Sequence, residues 1–422
     1  MTRVEQRKNM CHLSRRDFMI LGGATAAAGL LGLAVGYDRT YSPLHEQTET
    51  WKKVLDNQDI FVEEYKEKLS VMHLGANICP DYRLLAENVD ADAAISLFTE
   101  KFGTQDVRLG IWWSTYDKLG IDPYLPWFEA CKKHNIKVTT CLPSPKGPRA
   151  PEQQEPDQLR EKLKETDEFP PIRSIITPNS KFGREALKAA RSFFEDMKIH
   201  HLSPQDYDFC PVNELYDANG NWKFRMSEEF MYEYCKLISE YAPSSTVLFN
   251  TTGIALEYPS PLEQCVNYAI NIKSKLPQLK YKIGTDFYHQ TREGKINEDI
   301  FIDTISGAKM IYGKNHIQKQ KKIMSLHGID HEVTEAQEEA WDRAYDYGPP
   351  RYKPESEEHL RYVLVRIADE LIEDDRKNTF IVRLWGVEND LIEMLHNEQF
   401  ANSNSSFALI KRINELNKVR FN

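Results

Sequence analysis

The sequence predicts an α/β fold, a (β/α)8 or TIM barrel, and three observations support this prediction. Short apolar strands alternate with amphipathic helices through most of the chain, a pattern typical of a parallel sheet covered by helices. Eight strand–helix units in about 350 residues fit a closed barrel better than an open sheet. No glycine-rich phosphate loop follows any strand, which disfavours the alternative of a doubly wound sheet.

The eight units follow one another from residue 69 to the C-terminus. The strands are predicted at 69–78, 106–113, 136–142, 207–212, 245–250, 281–288, 329–336 and 379–385. The helices after them are predicted at 91–103, 124–135, 183–198, 227–242, 261–276, within 296–315, at 356–374 and at 404–418. The longest connections, 143–182 and 337–355, each follow a strand. Strand-to-helix loops build the working face of such a barrel.

The N-terminal segment is expected to lie outside the fold. A Ser-Arg-Arg-Asp-Phe motif at 14–18 precedes a mildly apolar stretch at 19–36, as in a twin-arginine export signal. We predict residues 1–36 to be this signal, either cleaved or retained as a membrane anchor, although its apolar part is barely long enough to span a bilayer. The expected partner is the twin-arginine machinery, and the expected location is the periplasm, the extracellular space or the outer face of the cytoplasmic membrane. Residues 37–68 would be a linker with a lead-in helix, and 69–422 the catalytic barrel.

Charge and cysteine content argue against several classes of function. The net charge is −10, and no Lys/Arg-rich block occurs beyond the N-terminus, so nucleic acid is not expected as a partner. The seven cysteines include no C-x-x-C pair, so neither a zinc ribbon nor a thioredoxin-like site is indicated. Because the twin-arginine route exports folded proteins, the six cysteines beyond the signal are expected to be mostly buried free thiols.

Polar side chains occur at the carboxyl ends of five predicted strands, which a barrel would bring to one mouth. They are Arg108 on the second strand, Asn213 and Glu214 on the fourth, Asp286, Tyr288 and His289 on the sixth, Thr334 and Glu335 on the seventh, and Trp385 on the eighth. Two facing carboxylates in different environments are the machinery of glycoside hydrolysis. One protonates the leaving oxygen and the other attacks the anomeric carbon. An arginine beside the attacking group would keep it ionised at neutral pH.

With these residues at these strand ends, the chain from about residue 70 onward resembles the clan A glycoside hydrolases. These are retaining (β/α)8 glycosidases, among them cellulases, mannanases and glucosidases. The resemblance implies that Glu214 is the acid/base, that Glu335 is the nucleophile, and that the substrate is a β-linked poly- or oligosaccharide. It implies no metal or other cofactor. The resemblance also implies four supporting roles. Arg108 would keep the nucleophile ionised, and Asn213 would hydrogen-bond the sugar 2-hydroxyl. Tyr288 or His289 would hold the nucleophile in position, and Trp385 would form an apolar floor beneath the sugar.

Two departures from the pattern of this clan leave the exact family open. Leu215 stands where many members have a proline after the Asn-Glu pair. Glu335 is followed by Ala-Gln, where members often have an aromatic residue or glycine. Because Glu338 and Glu339 lie close by in the sequence, the nucleophile assignment could shift to one of them. The Val-Thr-Glu context favours Glu335.

Other patterns add candidates or compete with a two-carboxylate site. Trp222 and Trp341, in the loops after the fourth and seventh strands, are further candidates for contact with a sugar.

Segment 217–228 places acidic and amide residues at calcium-loop positions, but its glycine is misplaced, which favours a simple Asn-Gly turn. His73 and His331 together with the carboxylates would allow a metal-dependent sugar isomerase or lyase, yet no H-x-H or H-E-x-x-H spacing supports it. A non-catalytic carbohydrate-binding barrel is the remaining alternative.

Overall fold

A computed structural model describes residues 58–147, 155–171, 174–215, 225–251, 261–287, 290–292, 295–297, 318–337, 360–361, 363–365, 367–368, 380–396 and 405–421. The predicted signal at 1–36 and four predicted site residues lie outside these ranges; the four are Trp222, Tyr288, His289 and Trp341. The contacts within the chain group 62–422 into one compact unit and 1–61 into another. Because residues 1–57 are not among those described, the predicted domain boundaries and the export signal stay predictions. In the part of the chain described, no helix is long and apolar enough to cross a membrane.

Eight parallel strands close into a barrel, which confirms the predicted (β/α)8 fold. In chain order they are β1 (Met72–Ile78), β2 (Asp106–Gly110), β3 (Lys137–Cys141), β4 (Asp208–Cys210), β5 (Thr246–Thr251), β6 (Lys280–Phe287), β7 (Asp330–Gln337) and β8 (Phe380–Trp385). Each strand pairs with its neighbours in chain order, and β8 closes the barrel onto β1. All eight carboxyl ends therefore meet at one mouth.

Two of the described helices precede β1, two follow β8, and the others lie in the connections between the strands. The helices are α1 (Gln58–Glu64), α2 (Lys66–Leu69), α3 (Ala91–Phe102), α4 (Trp113–Leu119), α5 (Leu125–Lys133), α6 (Asp157–Glu165), α7 (Lys181–Ile199), α8 (Glu228–Tyr241), α9 (Pro261–Lys275), α10 (Val387–His396) and α11 (Ser405–Phe421). Residues 318–326 are also helical, directly before β7. Asp90, Ser180 and Ser227 cap the N-termini of α3, α7 and α8, and the side chain of each accepts a hydrogen bond from the backbone N–H three residues on.

Four of the described helices differ from the sequence prediction. One is the helix at 318–326, which lies beyond the predicted 296–315. β2 ends at Gly110 and not at residue 113, and the buried Trp113 begins α4, a short helix with little apolar periodicity. Within the predicted connection 143–182, α6 is likewise mostly polar and buries only Leu163. α10 begins two residues after β8, because Gly386 adopts a φ of 99° that turns the chain sharply. Such positive φ values are strained for other residues.

The core consists of the apolar faces of the helices packed around the barrel. The predicted free thiols are confirmed, since all six cysteines in the described residues are buried and none forms a disulfide. Toward the amino end of the barrel, the interior also holds an ionic cluster. Arg383 on β8 donates to Asp106 Oδ1 at 2.5 Å and to Glu332, and Lys282 lies 3.2 Å from the second oxygen of Glu332.

Candidate active site

Glu335 reaches the barrel interior because β7 is irregular. The pairing of β7 with both neighbouring strands shifts register just after Val333. In a regular strand, adjacent side chains point to opposite faces of the sheet. Here Thr334 donates to Asn250 Oδ1 at 2.8 Å, and Glu335 accepts from Arg108 at 2.7 Å, so both adjacent side chains bond to partners in the interior. A bulge of this kind re-aims a side chain and is common next to active sites.

Arg108 on β2 joins the two strand ends that carry the predicted glutamates. Its guanidinium donates to Glu335 Oε1 at 2.7 Å, to Asn213 Oδ1, and to Cys210 Sγ at 3.6 Å. Burial alone would lower the pKa of Arg108. The adjacent Cys141, Cys210 and Glu335 outweigh that effect and raise the pKa well above its usual range. The guanidinium therefore stays charged, and it holds Glu335 in a buried ion pair.

Asn213 and Glu214 lie just beyond β4, both buried. Glu214 adopts a φ of 44°, in the left-handed region, which costs a non-glycine residue about 1–2 kcal/mol. Hydrogen bonds on either side hold this conformation: Asn213 N donates to Lys146 O at 3.3 Å, and Leu215 N donates to Asn250 O at 3.1 Å. The second bond gives a physical reason for the departure noted above, because a proline in place of Leu215 would have no N–H to donate.

Lys146 is the partner of Glu214, and sequence reasoning missed it. Its ammonium donates to Glu214 Oε2, and both side chains are buried. Lys146 follows β3 in the proline-rich connection 143–182, where a lysine is usually solvated. The available signal was its position just after a barrel strand, since such loops face the mouth. A charge-assisted bond between buried groups fixes the Glu214 carboxylate in place.

Asp286 on β6 brings a third carboxyl group to the site. It is the register partner of Glu335 on β7 and is only 3% exposed. Neither of its oxygens accepts a hydrogen bond from a donor among the residues described. Burial, followed by the negative charges of Glu335 and Glu214, raises the pKa of Asp286 well above its usual range, and Arg108 only partly opposes this. The sequence placed Asp286 at a strand end but assigned it no role in glycoside hydrolysis.

Two asparagines on barrel strands complete the polar interior, and sequence reasoning assigned neither of them a role in the site. Asn250 on β5 donates to Asn213 Oδ1 at 2.6 Å. Asn77 on β1 donates to Thr334 O at 2.8 Å and accepts from Arg108 at 3.2 Å. Each stands in a predicted barrel strand, which was a usable signal, because a buried amide needs partners. Trp385 is the last residue of β8, at the mouth, and is 5% exposed.

The two described histidines of the metal-dependent alternative, His73 and His331, lie away from the carboxyl groups of the site, and His289 lies outside the described residues. His331 is the second residue of β7 and lies four positions before Glu335, or about 13 Å along a strand. His73 is the second residue of β1 and accepts from Gln105 N at 3.2 Å, also toward the amino end. Across the described residues, no group of three or more His, Cys, Asp or Glu side chains is placed to hold a metal ion.

Comparison with known proteins finds similarity at the level of the fold. No family model matches the chain, and no curated protein matches it. Among solved structures, xylanase 10B from Thermotoga maritima is 12% identical at a TM-score of 0.48, with 85% of this chain and 99% of that one covered. A GH10 endoxylanase retrieved from sugarcane soil metagenome is 15% identical at a TM-score of 0.44, with 79% and 88% covered. At such identities the likeness concerns the fold alone.

Proposed function

We propose that the protein is a retaining glycoside hydrolase that cleaves a β-linked poly- or oligosaccharide by double displacement. The observation that carries this proposal is the placement of Arg108. It binds Glu335 on β7 at 2.7 Å and also binds Asn213, the neighbour of Glu214, just beyond β4. Two buried glutamates from strands well apart in the barrel thus lie at one mouth. One is paired with a guanidinium and the other with the ammonium of Lys146.

Each glutamate has a distinct step in this mechanism. Glu335, kept ionised by Arg108, attacks the anomeric carbon and forms a covalent glycosyl-enzyme. Glu214 gives a proton to the leaving oxygen and then, as a carboxylate, accepts one from the attacking water. Asn213 is held rigidly, since its Oδ1 accepts from Arg108 and Asn250 and its Nδ2 donates to the backbone oxygen of residue 147 at 3.1 Å. Its second amide N–H is the donor we assign to the sugar 2-hydroxyl.

The remaining binding roles rest on the sequence. Trp385 at the end of β8 would be the apolar floor beneath the sugar ring. Tyr288 or His289, following β6, would hold the nucleophile by a hydrogen bond. Trp222 and Trp341, in loops that follow β4 and β7, would extend the contact with the glycan beyond the scissile bond.

Replacing Glu214 tests the proposal through the leaving group. In Glu214→Ala we expect kcat/KM for an unactivated β-glycoside to fall about 10²–10⁴-fold, because no acid remains to protonate the leaving oxygen. A dinitrophenyl β-glycoside needs no such proton, so its loss is expected to be much smaller. Added azide should then accelerate turnover and yield the β-glycosyl azide, since it attacks the glycosyl-enzyme without a general base. Proton NMR of the first products measures the configuration.

Glu229→Gln is the matched control, because it removes an exposed glutamate from the first turn of α8 and should leave both rates unchanged. Full activity of Glu214→Ala on unactivated glycans would contradict the proposal. Binding of glycans by the wild-type protein without hydrolysis of any of them would favour a carbohydrate-binding barrel. Loss of activity in a chelator would favour a metal-dependent isomerase or lyase.

We further propose that the protein is exported by the twin-arginine route, and the motif at 14–18 supports this. Replacement of both Arg15 and Arg16 by lysine should leave the protein in the cytoplasm of a bacterial host, because the pair is the signature of this signal. Cell fractionation followed by immunoblotting measures the distribution. Arg3 and Arg7 replaced together by lysine form the control pair. Export of the Arg15/Arg16 variant at the control level would rule the proposal out.

A further inference from the structure

The mechanism above leaves one buried carboxyl group without a task, that of Asp286. The site contains three carboxyl groups and two cations: Glu214, Asp286 and Glu335 against Arg108 and Lys146. All five side chains are at most 10% exposed. If every group were ionised, the site would carry one uncompensated negative charge, and burial of such a charge is strongly unfavourable. A single proton among the three carboxyl groups makes the site neutral.

The contacts indicate which carboxyl group holds this proton. Glu335 is bound by Arg108, and Glu214 is bound by Lys146, so each of these two carboxyl groups has a buried cation as its partner. Asp286 accepts no hydrogen bond from any donor in the described part of the chain. Its carboxyl group instead lies within hydrogen-bonding reach of Glu214. Two carboxyl groups can be bonded to each other only when a proton lies between them.

The charged and titratable groups that face Asp286 also favour a proton on its carboxyl group. Glu335 on β7 and Glu214 beyond β4 both repel a negative charge on it. Cys265 on α9 is a neutral thiol, since burial raises its pKa to about 12. Arg108 is the opposing cation. Its hydrogen bonds go to Glu335 on β7, to Asn77 on β1, and to Cys210 and Asn213 at the end of β4, and Asp286 is not among these partners.

We propose that Asp286 is protonated in the resting protein and supplies, through its hydrogen bond to Glu214, the proton that Glu214 delivers to the leaving group. Asp286 is then a positioning residue that acts through Glu214, and this inference rests on the proposed glycosidase function. Lys146 explains the need for it. Its ammonium donates to Glu214 Oε2, so that carboxyl group is already paired with a cation, whereas the neighbouring Asp286 has no cation bound to it among the described residues.

The proton and charge balance closes over both half-reactions. In the first, the proton passes from Asp286 to Glu214 and on to the leaving oxygen, which keeps the electrons of the broken bond. Glu335 meanwhile forms a bond to the anomeric carbon and becomes an uncharged ester. Asp286 and Glu214 are then both anions opposite Arg108 and the Lys146 ammonium, so the site is neutral again. In the second half, water gives its proton back through Glu214 to Asp286, its oxygen bonds to the anomeric carbon, and Glu335 leaves as a carboxylate.

Asp286→Asn tests the inference, because the amide keeps the shape and can still donate a hydrogen bond to Glu214 but has no transferable proton. We expect kcat/KM for an unactivated β-glycoside to fall about 10²–10³-fold. For a dinitrophenyl β-glycoside, the loss should be at least about tenfold smaller, because that leaving group needs no acid. A purely structural role would lower both rates equally. Asp330→Asn, an exposed aspartate at the start of β7, is the control for the substitution itself.

Infrared spectroscopy provides a readout that needs neither turnover nor a substitution. At neutral pH the wild-type protein should show the carbonyl band of a protonated, buried carboxyl group. Carbon-13 labelling of aspartate should shift the band, labelling of glutamate should not, and Asp286→Asn should lack it. Absence of the band, equal losses on the two glycosides, or full activity of Asp286→Asn on the unactivated one would each overturn the inference. A band at Asp286 in a protein that hydrolyses no glycan would overturn the glycosidase function and its proton supply while confirming the protonated aspartate.

Discussion

Glu335→Gln is expected to lower kcat/KM on every glycan that the protein hydrolyses by about 10⁴-fold or more. Glutamine has nearly the same shape, and its amide oxygen can still accept the hydrogen bond that Arg108 now donates at 2.7 Å, so the fold should persist. The amide cannot attack the anomeric carbon, so no glycosyl-enzyme can form. Steady-state kinetics measure the rate loss, and thermal unfolding of the variant checks its fold.

A 2-deoxy-2-fluoro glycoside identifies the nucleophile directly. It should add one glycosyl unit to the wild-type protein, seen by mass spectrometry of the intact chain, and peptide mapping should locate the unit on Glu335. Glu335→Gln should remain unlabelled. Glu338→Gln and Glu339→Gln are the matched controls, because these neighbouring glutamates were the sequence alternatives, and both variants should label and turn over normally. A label on either neighbour, or full activity of Glu335→Gln, would show the assignment to be wrong.

Arg383→Met should lower the free energy of unfolding by about 3–5 kcal/mol, the usual cost of removing one partner from a buried ionic cluster. Arg383 donates to Asp106 Oδ1 at 2.5 Å, and it also binds Glu332. All three residues are at most 3% exposed. Methionine fills part of the space but leaves the Asp106 carboxylate without its guanidinium. Urea unfolding followed by circular dichroism measures the change.

The loss should depend on pH in a defined direction. Burial would raise the pKa of Glu332, but Arg383 and Lys282 hold it below its usual range. A carboxyl group whose pKa is lower in the folded state stabilises the fold at pH values above its unfolded-state pKa. This stabilisation is lost as the pH falls through its folded-state pKa. Without Arg383, burial of Glu332 is less compensated, so the deficit of Arg383→Met should be largest at neutral pH and shrink towards about pH 4.

A second substitution provides the control for this prediction. Asp106→Asn in the wild-type protein removes a partner of Arg383 and should destabilise it. In the Arg383→Met background, the same change removes an unpaired buried charge and should recover stability, so its effect changes sign. A deficit that is independent of pH, or an Asp106→Asn change that destabilises both backgrounds, would show that the ionic cluster is not the cause.

The succession of strands and helices was predictable because its signal is local. The apolar run that ends before Asn213 became β4, and the alternating segments around it became the other strands of a closed barrel. α4 and α6 escaped prediction because they are short and bury few side chains. α10 escaped because it follows β8 almost directly, through the turn at Gly386.

The sequence by itself determined the barrel fold and the position of Glu214 and Glu335 at the same end of the barrel. Apolar periodicity is visible in any window of the chain, and a parallel barrel gathers all strand ends on one side. Only the tertiary structure decided which side chains touch. Lys146 meets Glu214 across 68 residues, and Asp286 lies opposite Glu335 with no donor for its oxygens among the described residues. Such contacts depend on strand register, on the bulge after Val333 and on the paths of loops, none of which leaves a local pattern in the chain.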